Sequence, residues 1–308
     1  MTFIIAEVGS NYRTFEEAKD SITMAKEVGA DAVKYQMYSA KEMFGVGTSS
    51  KLSLDPEWLP KLAEKAESMD IELMCTAFSP EGMKLIDPYV KRHKIASSDL
   101  PYVSLLETAK EIGKITYLSV GGASITDMSL AFDILEGTPM VPLYCLSNYP
   151  SSNVNLFSLD HLSRQFDRLF GYSCHTSDWY TAVSAVRHHG AVVVEKHFKL
   201  KDMNTPDSQH SLLPSDFKKM VDAVRGKISF AFPDPQEKEF VLRHKRRLMA
   251  TVDIKEGETL HYGLNYGCFR SFEEDSEGLS GFAGQALNGK IAKRDILSAT
   301  PITPDSFV

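Results

Sequence analysis

The feature that most constrains this chain is a regular alternation. Eight short runs rich in β-branched and aromatic residues are each followed by a longer amphipathic stretch, all within about the first 230 residues. The runs fall near 2–8, 32–36, 72–76, 93–97, 115–120, 140–147, 169–175 and 191–197. Helical patterns follow them at 14–27, 56–69, 80–89, 103–112, 125–136, 158–166, 179–189 and 215–228. Leu59, Leu62, Ala63 and Ala66 show the three- and four-residue spacing of one helix face. Thr14 followed by Glu17 is a capping-box start, Ser215 is a second start signal, and Gly29 and Gly190 mark stops. Strands joined by helices run parallel, and eight such units close into a (β/α)8 TIM barrel, whose usual size of about 250 residues fits. An open doubly wound sheet is the alternative. Its glycine signature G-x-G-x-x-G does not follow the first run, and the sequence holds no Walker-type loop.

The pattern changes after the eighth helix. A polar stretch with Pro233 and Pro235, ending in the basic cluster from Arg243 to Arg247, reads as a linker over 231–246 with a solvated charged face. From 247 to 308, strand-like runs at 248–252 and 290–292 are separated by turn signals at 255–257 and 288–290. This predicts a small β-rich second domain, too small to be secure alone and therefore docked on something.

Charge and cysteine usage narrow the partners. Lys plus Arg number 34 and Asp plus Glu 41, a net charge of −7, which is a poor footprint for nucleic acid but leaves room for a local anion pocket. The four cysteines form no C-x-x-C pair, so reduced thiols and a cytoplasmic setting are expected. The opening MTFIIAEVGSN lacks the basic flank of a signal peptide, and no apolar run approaches the ~20 residues that span a bilayer. A soluble protein without membrane partners is expected.

In such a barrel the chemistry sits at the carboxyl ends of the strands. Here these positions hold Glu7, Lys34 with Gln36, Thr76, Ser97 with Asp99, Ser119, Ser147, Ser173 with His175, and Lys196 with His197, while Lys94 lies within the fourth run. One polar strand end commonly satisfies only nearby backbone. Eight converging ones predict a site. Two lysines among five hydroxyls suit a small, multiply charged anion such as a phosphorylated carboxylate. His175 and His197 end neighbouring strands and suit either a divalent metal completed by water or acid–base work. Glu7 and Asp99 are carboxylates for proton handling or sugar hydroxyls. The stretch from Thr205 to His210, including Asp207, lies in the long loop after the eighth run, where substrate contacts are common. Cys174 adjoins His175, but strand alternation turns neighbours to opposite faces, which argues against a cysteine nucleophile.

At these residues the sequence resembles the sialic acid synthase family, comprising N-acetylneuraminate, legionaminic and pseudaminic acid synthases. The stretches that carry the resemblance are AEVGSN (6–11), GADAVKYQ (29–36), CTAFSPEG (75–82), KIASSD (94–99), CLSNYP (145–150), GYSCHTSD (171–178) and EKHF (195–198). The tail TVDIKEGETL with GKIAKRDI resembles the antifreeze-like (SAF) domain that follows the barrel in that family. The resemblance implies condensation of phosphoenolpyruvate with an N-acylated amino-hexose, such as N-acetylmannosamine or a diacetamido-trideoxyhexose, to a nine-carbon keto acid and phosphate. It implies that Lys34, Thr76, Lys94, Ser97, Ser119, Ser147 and Ser173 hold phosphoenolpyruvate. His175 and His197 would bind a divalent metal, Mn2+ first and Mg2+ or Co2+ next, that polarises the sugar aldehyde. Glu7 would serve the attacking water or the developing charge, and Gln36, Asp99, Tyr149 and Asp207 would face the sugar. It further implies a domain-swapped homodimer in which Arg270 of the small domain reaches the sugar in a partner's barrel.

Some positions depart from the family pattern: Tyr12 for the common His, Ser98-Asp99 for Gly-Glu, Ser147 for Asn in some members, Ser119-Val-Gly-Gly for Ser-Thr-Gly-Met, and Cys174 for an acidic residue. They cluster on the sugar side and spare the lysines and both metal histidines. Two other readings fit the same strand-end residues. A Schiff-base aldolase would use Lys34, Lys94 or Lys196 as nucleophile, and a non-catalytic sugar-binding barrel would have lost turnover.

Overall fold

A computed structural model describes residues 2–39, 53–226, 245–270 and 278–308. The chain divides into two compact units, Met1–Ile228 and Ser229–Val308. Most of the expected linker, part of the basic cluster and the last residues of the expected eighth helix lie outside the described residues.

In the first unit, β1 (Phe3–Gly9), β2 (Ala32–Met37), β3 (Glu72–Ala77), β4 (Arg92–Ile95), β5 (Ile115–Ser119), β6 (Met140–Tyr144), β7 (Gly171–Cys174) and β8 (Val193–His197) form a closed barrel in sequence order. Every neighbouring pair is parallel, and β1 closes on β8 with Phe3 opposite Val193 and Glu7 opposite His197. The helices of this unit among the described residues are α1 (Phe15–Glu27), α2 (Leu59–Ser68), α3 (Pro80–Ile86), α4 (Val103–Ile112), α5 (Ile125–Ile134), α6 (Phe157–Phe166), α7 (Tyr180–Arg187) and α8 (Pro214–Val224). The expected fold is therefore present. Thr14 caps α1 as expected, accepting from the Glu17 backbone N–H. The α8 start differs: Pro214, not Ser215, opens it, because proline is pre-set for the first helical turn.

Strand parity decides what each side chain faces. Ile5, Ala32, Met74, Tyr117, Leu143 and Val193 pack together as one apolar layer. The other parity, including Ile4, Val33, Leu73, Leu118 and Val194, joins the larger core that also contains the inner faces of the helices. Below the apolar layer, Arg92 donates to Glu72 at 2.9 Å and to the Tyr117 hydroxyl at 3.3 Å, and lies 4.5 Å from the Phe3 ring centre. This closes the amino-terminal end. Two residues further along the same strands come Glu7, Lys34, Thr76, Ser119 and Glu195, one layer up and on the same interior face.

The second unit has its own small core of Leu248, Ala250, Ile254, Leu260, Tyr266, Leu287, Ala292, Ile296 and Ile302. Its strand pair is antiparallel, β9 (Arg247–Ala250) with β10 (Tyr266–Phe269). The expected strand at 290–292 forms only isolated bridges, Ile291 with Thr259 and Ala292 with Phe307. β10 escaped the sequence reading because Tyr-Gly-Cys-Phe contains no β-branched residue.

Candidate functional site

A cavity of about 520 Å3 opens at the carboxyl end of the barrel. Of the fifteen residues expected at the site, Glu7, Lys34, Gln36, Thr76, Lys94, Ser97, Ser119, Ser147, Tyr149, Ser173, His175, His197 and Asp207 line it. Asp99 is not among the lining residues; it sits in the turn Ser97–Asp99, and burial raises its carboxyl pKa. Arg270 belongs to the second unit and is exposed directly after β10.

The floor is a network of buried charge. Lys34 Nζ is 2.7 Å from Glu7 Oε2 and 3.6 Å from Glu195 Oε2, and it donates to Thr76 Oγ1 at 2.9 Å. Ser173 donates to Glu195 Oε1 at 2.9 Å, and Lys94 Nζ lies 3.9 Å from the same oxygen. Glu195 was missed as a site residue because it stands inside the apolar run VVVEKHF. Its parity with His197 was the available signal, since residues two apart on a strand share a face.

Burial acts on all four charges, with different outcomes. It pushes Glu7 up to about 7, only partly opposed by Lys34. Burial also pulls on Glu195, but Lys34, Lys94 and the Ser173 hydroxyl together hold its pKa at about 2. For Lys34, Glu195 and Glu7 overcome burial and keep it charged, whereas for Lys94 burial prevails and the neighbouring Lys34 adds to the fall. Around these groups stand the hydroxyls, with Ser97 Oγ 3.1 Å from Ser147 Oγ. The hydroxyls and lysines form a one-sided donor set for an anion.

Three histidines also line the cavity. The His197 and His210 ring centres are 4.3 Å apart, His175 and His197 5.7 Å, and His175 and His210 6.3 Å. Tyr149 caps them at 4.3 Å from His175 and 5.2 Å from His210. Burial lowers all three imidazoles, His175 to about 4, which keeps them neutral as metal ligation requires. His197, Asp207 and His210 offer ligand atoms all within 4.8 Å of one another, a group that could hold a metal ion. His197 Nδ1 and both ring nitrogens of His210 are buried without a hydrogen-bond partner, as ligand atoms for a divalent ion would be. His175 differs from the expected pairing with His197 alone. Its Nδ1 meets the Leu146 carbonyl at 2.9 Å and its Nε2 lies 3.3 Å from Ser173 Oγ.

The sequence placed His210 only within the loop stretch from Thr205 to His210 where substrate contacts are common, and gave it no metal role because it is distant from any strand end. Lys196 and Cys174 point away from the cavity, as alternation requires. The Lys196 ammonium donates to the carbonyls of Thr176 and His210, and Cys174 Sγ is 3.2 Å from Thr176 Oγ1. All four cysteines are free thiols. Among the described residues, no helix is long and apolar enough to cross a membrane.

Residues 45–231 match the model of the NeuB family. The chain belongs to the NeuB family. Pseudaminic acid synthase of Campylobacter jejuni is 34% identical over 96% of this chain and 93% of its own. N,N'-diacetyllegionaminic acid synthase of the same species is 29% identical over 96% of both chains. The crystal structure of N-acetylneuraminic acid synthetase from Leptospira borgpetersenii, in complex with citrate, matches with a TM-score of 0.70 at 27% identity, covering 78% of this chain and 90% of that one. These NeuB-family matches accord with the resemblance read from the motifs.

Proposed function

We propose that the barrel condenses phosphoenolpyruvate with an N-acylated amino-hexose, giving a nine-carbon nonulosonic acid and inorganic phosphate. The observation that carries this reading is the lining of the cavity, which combines Lys34 and Lys94, a ring of hydroxyls and a neutral imidazole cluster. Two similar proteins are by name synthases of N,N'-diacetyllegionaminic and pseudaminic acid, and the Leptospira structure holds citrate, a multiply charged carboxylate.

In this reading Lys34, Lys94, Thr76, Ser97, Ser119, Ser147 and Ser173 hold the phosphate and carboxylate of phosphoenolpyruvate. Gln36, Tyr149 and Asp207, which line the cavity, are assigned to the sugar. His175 and His197 hold a divalent metal, Mn2+ first and Mg2+ or Co2+ next. Such an ion supplies Lewis acidity toward the sugar carbonyl. The methylene carbon of phosphoenolpyruvate forms the new C–C bond to the aldehyde carbon, whose oxygen gains a proton and becomes a hydroxyl. Water adds to the electron-poor carbon left behind, and the C–O bond to phosphate then breaks, leaving the keto acid. Glu7, with a pKa near the operating pH, takes the proton of that water. Glu195 is the counter-charge that both lysines share.

The remaining proposals concern the whole chain. The barrel over 1–230 is catalytic and 247–308 is an antifreeze-like domain. In a swapped homodimer Arg270 would meet the sugar in a second copy's barrel, in a cytoplasmic enzyme. The deciding experiment is a phosphate-release assay over N-acetylmannosamine and diacetamido-trideoxyhexoses, with mass spectrometry of the product. One nonulosonic acid per phosphate is expected, only when sugar and metal are both present. Release without sugar, or none with any of them, defeats the reading. Lys94, with its lowered pKa, is the residue on which borohydride trapping of a carbonyl substrate would instead mark an aldolase.

A further inference from the structure

The loop after β8 is built to hold one side chain in place and leave its ring nitrogens without a hydrogen bond. Leu212 N–H donates to the His197 carbonyl at 2.9 Å and Lys199 N–H to the Leu212 carbonyl at 3.0 Å, which seats the loop's far end on the strand. Ser211 Oγ donates to the Asp207 carbonyl at 2.6 Å, and Asn11 Nδ2 donates to Ser211 Oγ at 2.7 Å. Thr205 Oγ1 donates to Asn11 Oδ1 at 2.6 Å, and Lys199 Nζ donates to the Ser208 carbonyl at 2.8 Å. The buried Lys196 ammonium donates to the His210 carbonyl itself, at 3.2 Å. His210 is only 1% exposed, yet neither ring nitrogen has a hydrogen-bond partner. Burying such a group unsatisfied costs about 1–3 kcal/mol. An aromatic filler between Tyr149 and His197 would pack there without that cost.

The carboxylate beside it is oriented in a way that suggests a use. Asp207 Oδ2 accepts from the Ser10 backbone N–H at 2.7 Å and from Ser10 Oγ at 2.6 Å. Its other oxygen, Oδ1, is 3.8 Å from His210 Nε2. Two donors on opposite sides of one ion lie about 4.2 Å apart at bonds of about 2.1 Å. Three donors cannot all be opposite one another; around a tetrahedral ion they lie about 3.4 Å apart, so a group spanning at most 4.8 Å closes by drawing its side chains inward around the ion.

We propose that His210 is a further direct ligand of the divalent ion, joining His197 and Asp207 in a two-imidazole, one-carboxylate group, so that its loss weakens an imidazole-favouring ion such as Co2+ more than Mn2+. Imidazole suits the later first-row metals, while carboxylate and water suit Mn2+ and Mg2+. Ser10 acts through Asp207 and fixes its orientation, as outer-shell partners do. The inference rests on the synthase reading and deepens it by naming a ligand the motifs did not mark. It is measured without either substrate, so its failure and that of the synthase reading are separable.

The test is calorimetric titration of chelator-treated protein with CoCl2 and with MnCl2, together with the visible spectrum of the Co2+ complex. Parent protein is compared with His210→Phe and His210→Gln, and near-UV circular dichroism reports which variants fold. One equivalent of Co2+ should bind the parent. Each folded variant should lose at least the about 10–100-fold that loss of an outer-shell partner costs, should lose more for Co2+ than for Mn2+, and should shift the Co2+ bands. The glutamine variant decides the matter should the phenylalanine one fail to fold. Co2+ affinity within twofold of the parent with an unchanged spectrum, equal losses for both metals, or no Co2+ binding by the parent would overturn the assignment.

Discussion

Lys34 Nζ and Glu7 Oε2 approach to 2.7 Å with both side chains about 95% buried, joining β1 to β2 at the floor of the cavity. The second carboxylate, Glu195, shares the lysine at 3.6 Å but is held at a pKa of about 2, while Glu7 is pushed up to about 7. Two carboxylates driven apart in this way divide the labour: one remains a fixed counter-charge, and the other exchanges protons near neutrality.

The raised Glu7 pKa has a definite sign in stability. Between about 4.5, its unperturbed value, and about 7 the folded protein holds a proton that the unfolded chain releases, so this group's contribution is present below 4.5 and is lost as pH rises through 7. Glu7→Gln removes that dependence. Relative to the parent, the variant should therefore gain stability on going from pH 4.5 to pH 8, measured by urea unfolding at each pH. A constant difference would show that Glu7 titrates normally. Phosphate release by this variant should fall by about 100-fold or more, from the lower end of the usual general-base effect upward.

Glu195 is the shared counter-ion of Lys34 and Lys94. Replacing it by alanine leaves two buried cations with one remaining carboxylate, and breaking a buried pair costs about 3–5 kcal/mol. Glu195→Ala should unfold at correspondingly lower urea. A loss below about 1 kcal/mol would mean that the lysines relax into solvent.

Much of this was legible in the sequence, for a physical reason. Parallel strands buried on both faces need apolar residues throughout, so a lysine or glutamate at a strand end is conspicuous, and Glu7, Lys34, Lys94 and His197 all lie where that logic places them. Residues whose placement depends on tertiary folding were not legible. Glu195 looks like part of an apolar strand until barrel closure sets it opposite Ser173. His210 enters the cavity only because Lys196, Asn11 and Ser211 tie down the loop that carries it. Asp99 was read as a strand-end carboxylate, but the turn Ser97–Asp99 leaves it off the cavity wall.

Arg270 is exposed at the end of β10, so its replacement should leave folding intact. Arg270→Ala is expected to raise the sugar KM by about tenfold with little change in kcat or in the phosphoenolpyruvate KM, the mark of lost ground-state binding. Unchanged steady-state kinetics would remove the swapped arrangement from the proposal.

His197 makes no hydrogen bond through Nδ1 and is held neutral by burial and by its two histidine neighbours. Its removal therefore breaks no ion pair. His197→Ala should keep a melting temperature within a few degrees of the parent, yet release no phosphate at saturating substrates. Chelator should silence the parent in the same assay, and Mn2+ or Co2+ should restore it. An active variant would take His197 out of the metal site.

Gly9 is where backbone geometry and the site meet. Its φ is +56°, and a Cβ built there would fall 2.5 Å from Asp207 Oδ2 and 3.3 Å from Glu7 Oε1. The same Asp207 oxygen is held by Ser10, so the carboxylate must leave Ser10 to make room. Gly9→Ala should cost about 1–2 kcal/mol in backbone strain alone, with a further loss of about 10–100-fold in metal affinity as Asp207 loses its orientation. Calorimetric metal binding and urea unfolding on the same preparation separate the two effects. Unchanged metal affinity in a destabilised variant would show that Asp207 keeps its place without Ser10, and that Gly9 serves only the turn.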